Sequence, residues 1–580
     1  MADEEGIALD LALARSDPEG FAALARHAES RDLDYVVLSE DVLSGDDEGL
    51  DPWTTAAWLA GRTEKIGLAA DIDADIPAMA DKARETFDLL AGARLIRHVG
   101  RQVQPVTTAG EIDRLADAVA DRPKPARSAA ARAQRRDGVD YDGIPASLAD
   151  VAIEPGDQGY RARRATYMRG GSPGLVLRPR TPAEIADALA FARRHRHLPL
   201  GVRSAGHGVS GRSTNDGGLV IDVGALNGVE VLDEATRRVR VGPGATWKQV
   251  AAVLDEHDWA ISSGDYGGVG VGGLATAGGI GLLSREHGLT IDRLRAVELV
   301  LADGTPVRAS LEENQDLFWG VRGAGANLGI ATAFEFEASE VHEVGWAQLA
   351  LLTPDIEDAL RRFGKVAAEA PRDTTVFFLT GSPRQGQSVV QLYGMVDSAD
   401  PEVVVERLTP FASVGMLAQQ EVVLTRYAAV MGSASDVGPT GHHGSGEPVF
   451  RSAFLPELTD DFARDAAALL RTGQIYFFQL RHMGGAIADV APEATAFAHR
   501  TPAFSVAAMG GDRDGLNAAW DRLARHFDGL YLSFETDQRP ERLRDAFPPA
   551  TLARLRELKR RYDPTLLFRD NFPITLEDPS

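Results

Sequence analysis

The sequence predicts an α+β fold, and three observations carry that expectation. Residues 6–100 alternate short apolar helical and strand patterns; a compact α/β pattern resumes at Tyr160 and becomes glycine-dense; residues 341–530 carry separated strands alternating with helices. The last pattern is that of an antiparallel sheet covered by helices.

The chain has 580 residues, room for three or four structural units. At 44% hydrophobic and 25% charged residues the composition is that of a soluble globular protein. The net charge of −24 repels a phosphate backbone or an anionic bilayer, so neither nucleic acid nor membrane is an expected partner. Zero cysteines exclude disulfides, thiolate nucleophiles, iron–sulfur clusters and any cysteinyl cofactor link. The start MADEEGIALDLALARSDPEG lacks the basic-then-apolar order of a signal peptide, which makes a cytoplasmic location the expectation.

Taken in order, residues 1–100 read as a helix over 21–28, a strand at 35–38, a helix over 52–61 and a strand at 66–70. The stretches DLDYVVLSED, LDPWTTAAWLAGRTEKIGLAA and MADKARETFDLLAGAR resemble the first part of the luciferase-like flavin monooxygenases. Those enzymes are closed (β/α)8 barrels of roughly 200 to 250 residues. A likeness of half that length reads as a partial barrel-like remnant, its strand edges covered by the rest of the protein or by a second subunit, as in a homodimer. Residues 101–155, rich in Pro, Arg, Asp and Ala, read as a linker.

From 156 to 340 the pattern gives strands at 174–178, 198–202, 219–223 and 239–244 and helices over 182–195 and 247–257. Directly after the second strand comes Arg203-Ser204-Ala205-Gly206-His207-Gly208. Its small residues let backbone amides converge on an anion such as a pyrophosphate, and His207 projects from the loop. A second segment runs from Gly264 through Tyr266, Val269, Gly270, Gly272, Gly273 and Leu274 to Gly278 and Gly279. Gly270, Gly272 and Ala275 formally match a G-x-G-x-x-A dinucleotide fingerprint, but no strand ends at Gly270 and the glycines that follow disfavour a firm helix. A third segment is His287-Gly288-Leu289-Thr290-Ile291-Asp292, followed by DLFWGVRGAGANLGI ending at Ile330.

Together these segments resemble the FAD-binding domain (PCMH type) of the vanillyl-alcohol-oxidase superfamily, in its berberine-bridge-enzyme branch. The likeness runs from about Tyr160 to Ser339 and resumes at YDPTLLFRDN, which ends at Asn571. It implies FAD bonded covalently through His207, with Arg203, Ser204, Ala205, Gly206, Gly208, Tyr266, Val269, Gly270, Gly272, Gly273, Gly278, Gly279, His287, Gly288, Ile330 and Asn571 around it. Ala205 replaces a glycine of the family loop. Tyr266 stands where bicovalent members carry a second, cysteinyl, attachment, which leaves His207 as the single anchor. Val269 falls where members use a small valine to admit oxygen, which implies an oxidase. The resemblance also implies a substrate domain over 341–530 and a segment at 531–580 that returns to the FAD domain.

Oxidising a carbinol needs a base for the hydroxyl proton. In the strand pattern around YFFQLRHMGG, Gln479 and Arg481 share a face and His482 points the other way. Arg481 stands where family members often carry a carboxylate base. Tyr531, in GLYLSF, resembles the tyrosine of a Y-x-N-Y element, and a cation at Arg481 would lower its phenol pKa and make it a workable base. His442-His443 lacks a third ligand at metal spacing and reads as a loop, so no metal is expected. The expected function is an FAD-dependent oxidase of an alcohol, sugar or secondary-metabolite hydroxyl. A dehydrogenase with another acceptor and a catalytically lapsed flavoprotein stay open beside it.

Overall fold

The computed structural model describes residues 6–10, 18–30, 35–39, 67–70, 104–105 and a few single positions before 129. It then describes 129–157, 159–434, 448–537, 539, 541–570 and 572–577. The chain divides into two compact units, the first comprising Met1–Ala133 with Asp157–Ala162 and the second most of the remainder.

In the first unit the described strands Gly67–Ala70, Tyr35–Ser39, Gly6–Asp10 and Gln104–Pro105 lie side by side in that order, all parallel. Helix Pro18–Ser30 connects two neighbours and buries Phe21, Ala22, Ala25 and Ala28, an apolar stripe at helical spacing. The helix expected over 52–61 lies outside the described residues except at single positions.

The second unit begins earlier than the sequence pattern suggests, because residues 134–156, expected as linker, are folded into it. Val139, Leu148, Val151 and Ala152 are buried, and Ala152–Ile153 pairs antiparallel with Leu177 and Val176. Arg135 holds Glu154 through two contacts of 2.6 and 3.0 Å. Short 3-10 turns with scattered apolar residues leave no period to read.

Ala152–Ile153, Leu175–Leu177, Leu219–Asp222 and Leu200–Arg203 form a four-stranded sheet whose last three strands are parallel. Helix Pro182–Arg194, capped by the Thr181 hydroxyl with proline in its first turn, packs Ile185, Leu189 and Phe191 into the same core. A second, antiparallel sheet runs Pro306–Ser310, Leu294–Val300, Ile330–Glu337, Arg238–Val241, Val229–Asp233.

The third sheet has seven antiparallel strands in the order Met416–Arg426, Glu343–Thr353, Ser388–Val396, Thr374–Thr380, Phe477–His482, Phe504–Gly510, Val449–Leu455. Helices Ile356–Glu369 and Asp460–Arg471 bury Leu360, Phe363, Phe462 and Leu470 against one face, where Val376, Phe378, Phe478 and Leu480 also point. Strand alternation therefore sends Phe377, Gln479 and Arg481 to the opposite face, and Phe377 pairs directly with Arg481. That face carries the site.

The chain ends by returning to the glycine-rich domain. In helix Pro549–Tyr562 the buried Lys559 ammonium donates to the Asn327 and Phe568 carbonyls at 2.8 and 2.7 Å and pairs with Asp563 at 2.8 Å. The Asp570 carboxylate accepts from the Leu200 amide at 2.9 Å, at the start of the strand that leads to His207.

Candidate functional site: two glycine loops and a polar cluster

Strand Leu200–Arg203 delivers the first loop. Arg203 is buried, its Nε 3.6 Å from the equally buried Asp222, and it donates to the Arg163 carbonyl. Burial pulls its guanidinium pKa down, against the opposing pull of Asp222. Gly206 has φ +78°, a conformation that costs a side-chain-bearing residue energy, and a Cβ there would lie 3.0 Å from the Arg203 Nε. Among the described residues the amides of Ala205, Gly206 and Gly208 have no protein acceptor. His207, half-buried, stacks on Tyr167 at 5.1 Å between ring centres and meets Tyr266 at 5.6 Å.

The second loop lies against the first. A Cβ on Gly270 would sit 2.1 Å from the Ser204 Oγ and 2.7 Å from the Ala205 nitrogen, so the glycine is what lets the two backbones touch. The methyl group of Ala205 is accommodated against that glycine. Contrary to the sequence expectation, a short helix does start here, Val271–Ala277 with Gly270 at its N-cap. Burial of Val271, Ala275 and Ala277 in the core outweighs the helix cost of Gly272 and Gly273. Gly273 is exposed, with open space where a side chain would project. Gly278 and Gly279 follow with φ +143° and +83°. The Gly279 amide donates to the Tyr531 hydroxyl at 3.1 Å.

Between these loops and the open sheet face sits a polar cluster. The Arg481 Nη2 reaches both oxygens of Asp265 at 2.9 Å, its Nη1 donates to the Ile280 carbonyl at 3.2 Å and its Nε to the Gln479 Oε1 at 3.0 Å. Gln479 in turn donates to Asp265 Oδ2 at 3.3 Å. The Arg481 guanidinium lies over the rings of Phe534 and Phe377, at 4.4 and 5.4 Å from their centres. Gln479, Arg481 and Tyr531 are thus gathered beside Gly278–Ile280, and Asp265 adjoins Tyr266 and, through it, His207.

Asp265 was absent from the sequence expectations. One acidic residue in a glycine-rich turn carries no signal, and its partner Arg481 is 216 positions away. The expected lowering of the Tyr531 pKa is corrected as well. Burial drives that phenol upward, and the opposing influences of the Gly279 amide, Ser533 and Arg481 do not overcome it. Arg481 spends its charge chiefly on Asp265.

Other candidates fall elsewhere. His287 pairs with Asp397 at 2.7 Å. Gly288, φ +83°, ends the helical turn Ser284–His287 by donating to the Ser284 carbonyl. Ile330 opposes Val300 in the antiparallel sheet and lies in the core with Leu175 and Phe568. Val269 packs against the core, its carbonyl accepting from the Trp247 amide at 3.0 Å. His482, on the helix-covered face, stacks on Phe504, and burial together with Arg285 holds its pKa well below the usual histidine value. Asn571 and His442-His443 lie outside the described residues. No cluster of three metal-ligating side chains occurs among the described residues.

Amides without protein acceptors, an exposed glycine at 273 with open space in front of it and a half-buried histidine between aromatic rings suit a group that is anionic at one end and a flat ring at the other. Comparison with known proteins agrees. Residues 173–310 match the FAD binding domain family. The chain is 28% identical over 469 residues to (R)-6-hydroxynicotine oxidase of Paenarthrobacter nicotinovorans, covering 75% of this chain and 98% of that protein. To the chitooligosaccharide oxidase of Gibberella zeae it is 27% identical over 434 residues, 69% of this chain and 86% of the relative. Among solved structures, 6-hydroxy-D-nicotine oxidase from Arthrobacter nicotinovorans superposes with a TM-score of 0.67 at 23% identity, over 75% of this chain and all of that one. The BBE-like 1 protein of Physcomitrella patens does so with a TM-score of 0.66 at 22% identity, over 74% of this chain and 98% of that one. The fold of these two proteins is therefore shared.

Proposed function

We propose that this FAD-linked oxidoreductase is an oxidase that converts a hydroxyl-bearing carbon of a sugar, alcohol or alkaloid-like small molecule to a carbonyl, with FAD held covalently by His207 alone. The observation that carries the reading is the meeting of the Asp265–Arg481–Gln479 cluster and Tyr531 with the glycine loops that follow His207 and Tyr266. The names of the relatives, a nicotine-type and an oligosaccharide oxidase, support the substrate range. When bound, FAD supplies a two-electron hydride acceptor that molecular oxygen reoxidises, giving hydrogen peroxide.

The residues divide the work. The loop at 203–208 offers amides to the pyrophosphate; Gly270 and Gly272 let the second loop touch the first, and Gly273 faces open space; Arg481 and Gln479 hold the Asp265 carboxylate. Tyr531, a protonated phenol tied to the Gly279 amide, orients rather than takes protons. A cavity of about 280 Å³ lined by Met168, Ser210, Gly211 and Arg513 lies next to the His207 loop. The parallel strands of the first unit are read as the remnant of a luciferase-like ancestor, with no flavin of their own.

The test is a panel of sugars, alcohols and alkaloids, scored for flavin bleaching without oxygen and for peroxide after oxygen is added. Bleaching followed by rapid reoxidation is expected. Bleaching with slow reoxidation would make the protein a dehydrogenase instead.

A further inference from the structure

We infer that Asp265 is the proton acceptor of the reaction, held and oriented by Arg481 and Gln479. The inference rests on the hydroxyl-oxidation reading above. Four groups of the cluster have the chemistry to exchange a proton or bind a hydroxyl, and three are closed off. Gln479 and Tyr531 are 4% and 3% exposed, Tyr531 already accepts the Gly279 amide, and the buried Arg481, a donor only, has four of its five N–H groups taken by Asp265, Gln479 and Ile280. The Asp265 carboxyl keeps 22% of its side-chain surface open.

Its hydrogen-bond inventory leaves capacity. Two ionised oxygens offer about four lone-pair sites, and the protein fills three of them, two from Arg481 and one from Gln479. A substrate hydroxyl can take the remaining one. The carboxylate comes from the glycine-rich domain, on the residue before Tyr266, while its cation comes from the sheet. Sign and side are thus exchanged relative to a carboxylate carried on the strand itself, and the pair leaves a carboxylate oxygen with an open acceptor site. In the step, the substrate O–H bond breaks and its proton goes to an Asp265 oxygen. The carbinol C–H bond breaks with its electron pair, which goes as hydride to the flavin, and the C=O bond forms. Arg481 stays charged throughout.

The experiment compares the holoenzyme with Asp265→Asn and Asp265→Glu, after flavin content and melting midpoint establish that each is loaded and folded. The first readout needs no turnover: the flavin absorbance is titrated with acid. A carboxylate beside the flavin gives a spectral titration in the parent that Asp265→Asn lacks and Asp265→Glu keeps with a displaced midpoint. The second is the anaerobic rate of flavin reduction against pH, expected to fall about 100-fold or more in Asp265→Asn with loss of the acidic limb, and to recover substantially in Asp265→Glu. An unchanged titration, or parental reduction rates in Asp265→Asn, overturns the role of Asp265 alone. If no alcohol, sugar or alkaloid reduces even the parent flavin, the hydroxyl-oxidation reading falls and takes this role with it.

Discussion

At single residues the site depends on a few atoms of clearance. Gly270 is the sharpest case, because any Cβ there must displace the Ser204 Oγ and the Ala205 backbone together. Gly270→Ala is expected to destabilise the unit by about 1–3 kcal/mol and to lower the flavin-to-protein absorbance ratio markedly. Gly273→Ala, facing open space, should leave the melting temperature nearly unchanged, so comparing the pair separates backbone clash from a general intolerance of side chains. His482 makes a pH prediction. Its folded pKa is depressed, so between that value and the unfolded value near ~6.5 the unfolded chain binds the extra proton. Its contribution is therefore fully present above about pH 6.5 and lost as pH falls, at up to about 1.4 kcal/mol per pH unit. Melting curves at pH 5 and pH 7 should differ less in His482→Leu than in the parent; an equal difference would contradict the assignment.

Among elements, the tail that locks the glycine-rich domain rests on a charge pair. Lys559 and Asp563 are both fully buried, and each also binds backbone groups of the segments it joins. Removing one partner leaves the other uncompensated, so Lys559→Met or Asp563→Ala should cost about 3–5 kcal/mol in chemical denaturation. The double variant should cost less than the sum. How legible these elements were in the sequence follows the physics of each. Strands Leu200–Arg203 and Phe477–His482, and the glycine loops after His207 and Gly264, follow from local alternation and composition. The helix Val271–Ala277 runs against its residues' propensities and forms because tertiary burial favours it. Residues 134–156 lack any period because they fold as short turns fixed by Arg135–Glu154 and single apolar contacts. Asp265–Arg481 joins segments far apart in the chain, and His287 found its partner in Asp397 on the opposite side of the second unit's sequence; such long-range pairs leave no trace in local spacing.

For the whole molecule, the division into two units and the confinement of the site to the second make a cooperative prediction. Scanning calorimetry should resolve two transitions, and His207→Ala should lower only the one that loses flavin absorbance, because a ligand stabilises the unit that binds it. We propose that this unit holds FAD through one covalent bond to His207. Denaturing electrophoresis under ultraviolet light, followed by mass analysis of the tryptic peptides, tests it directly. A fluorescent band that survives denaturation, a flavin-bearing peptide that includes His207, and loss of both in His207→Ala are expected. Flavin released on denaturation, or found on any other residue, would contradict it.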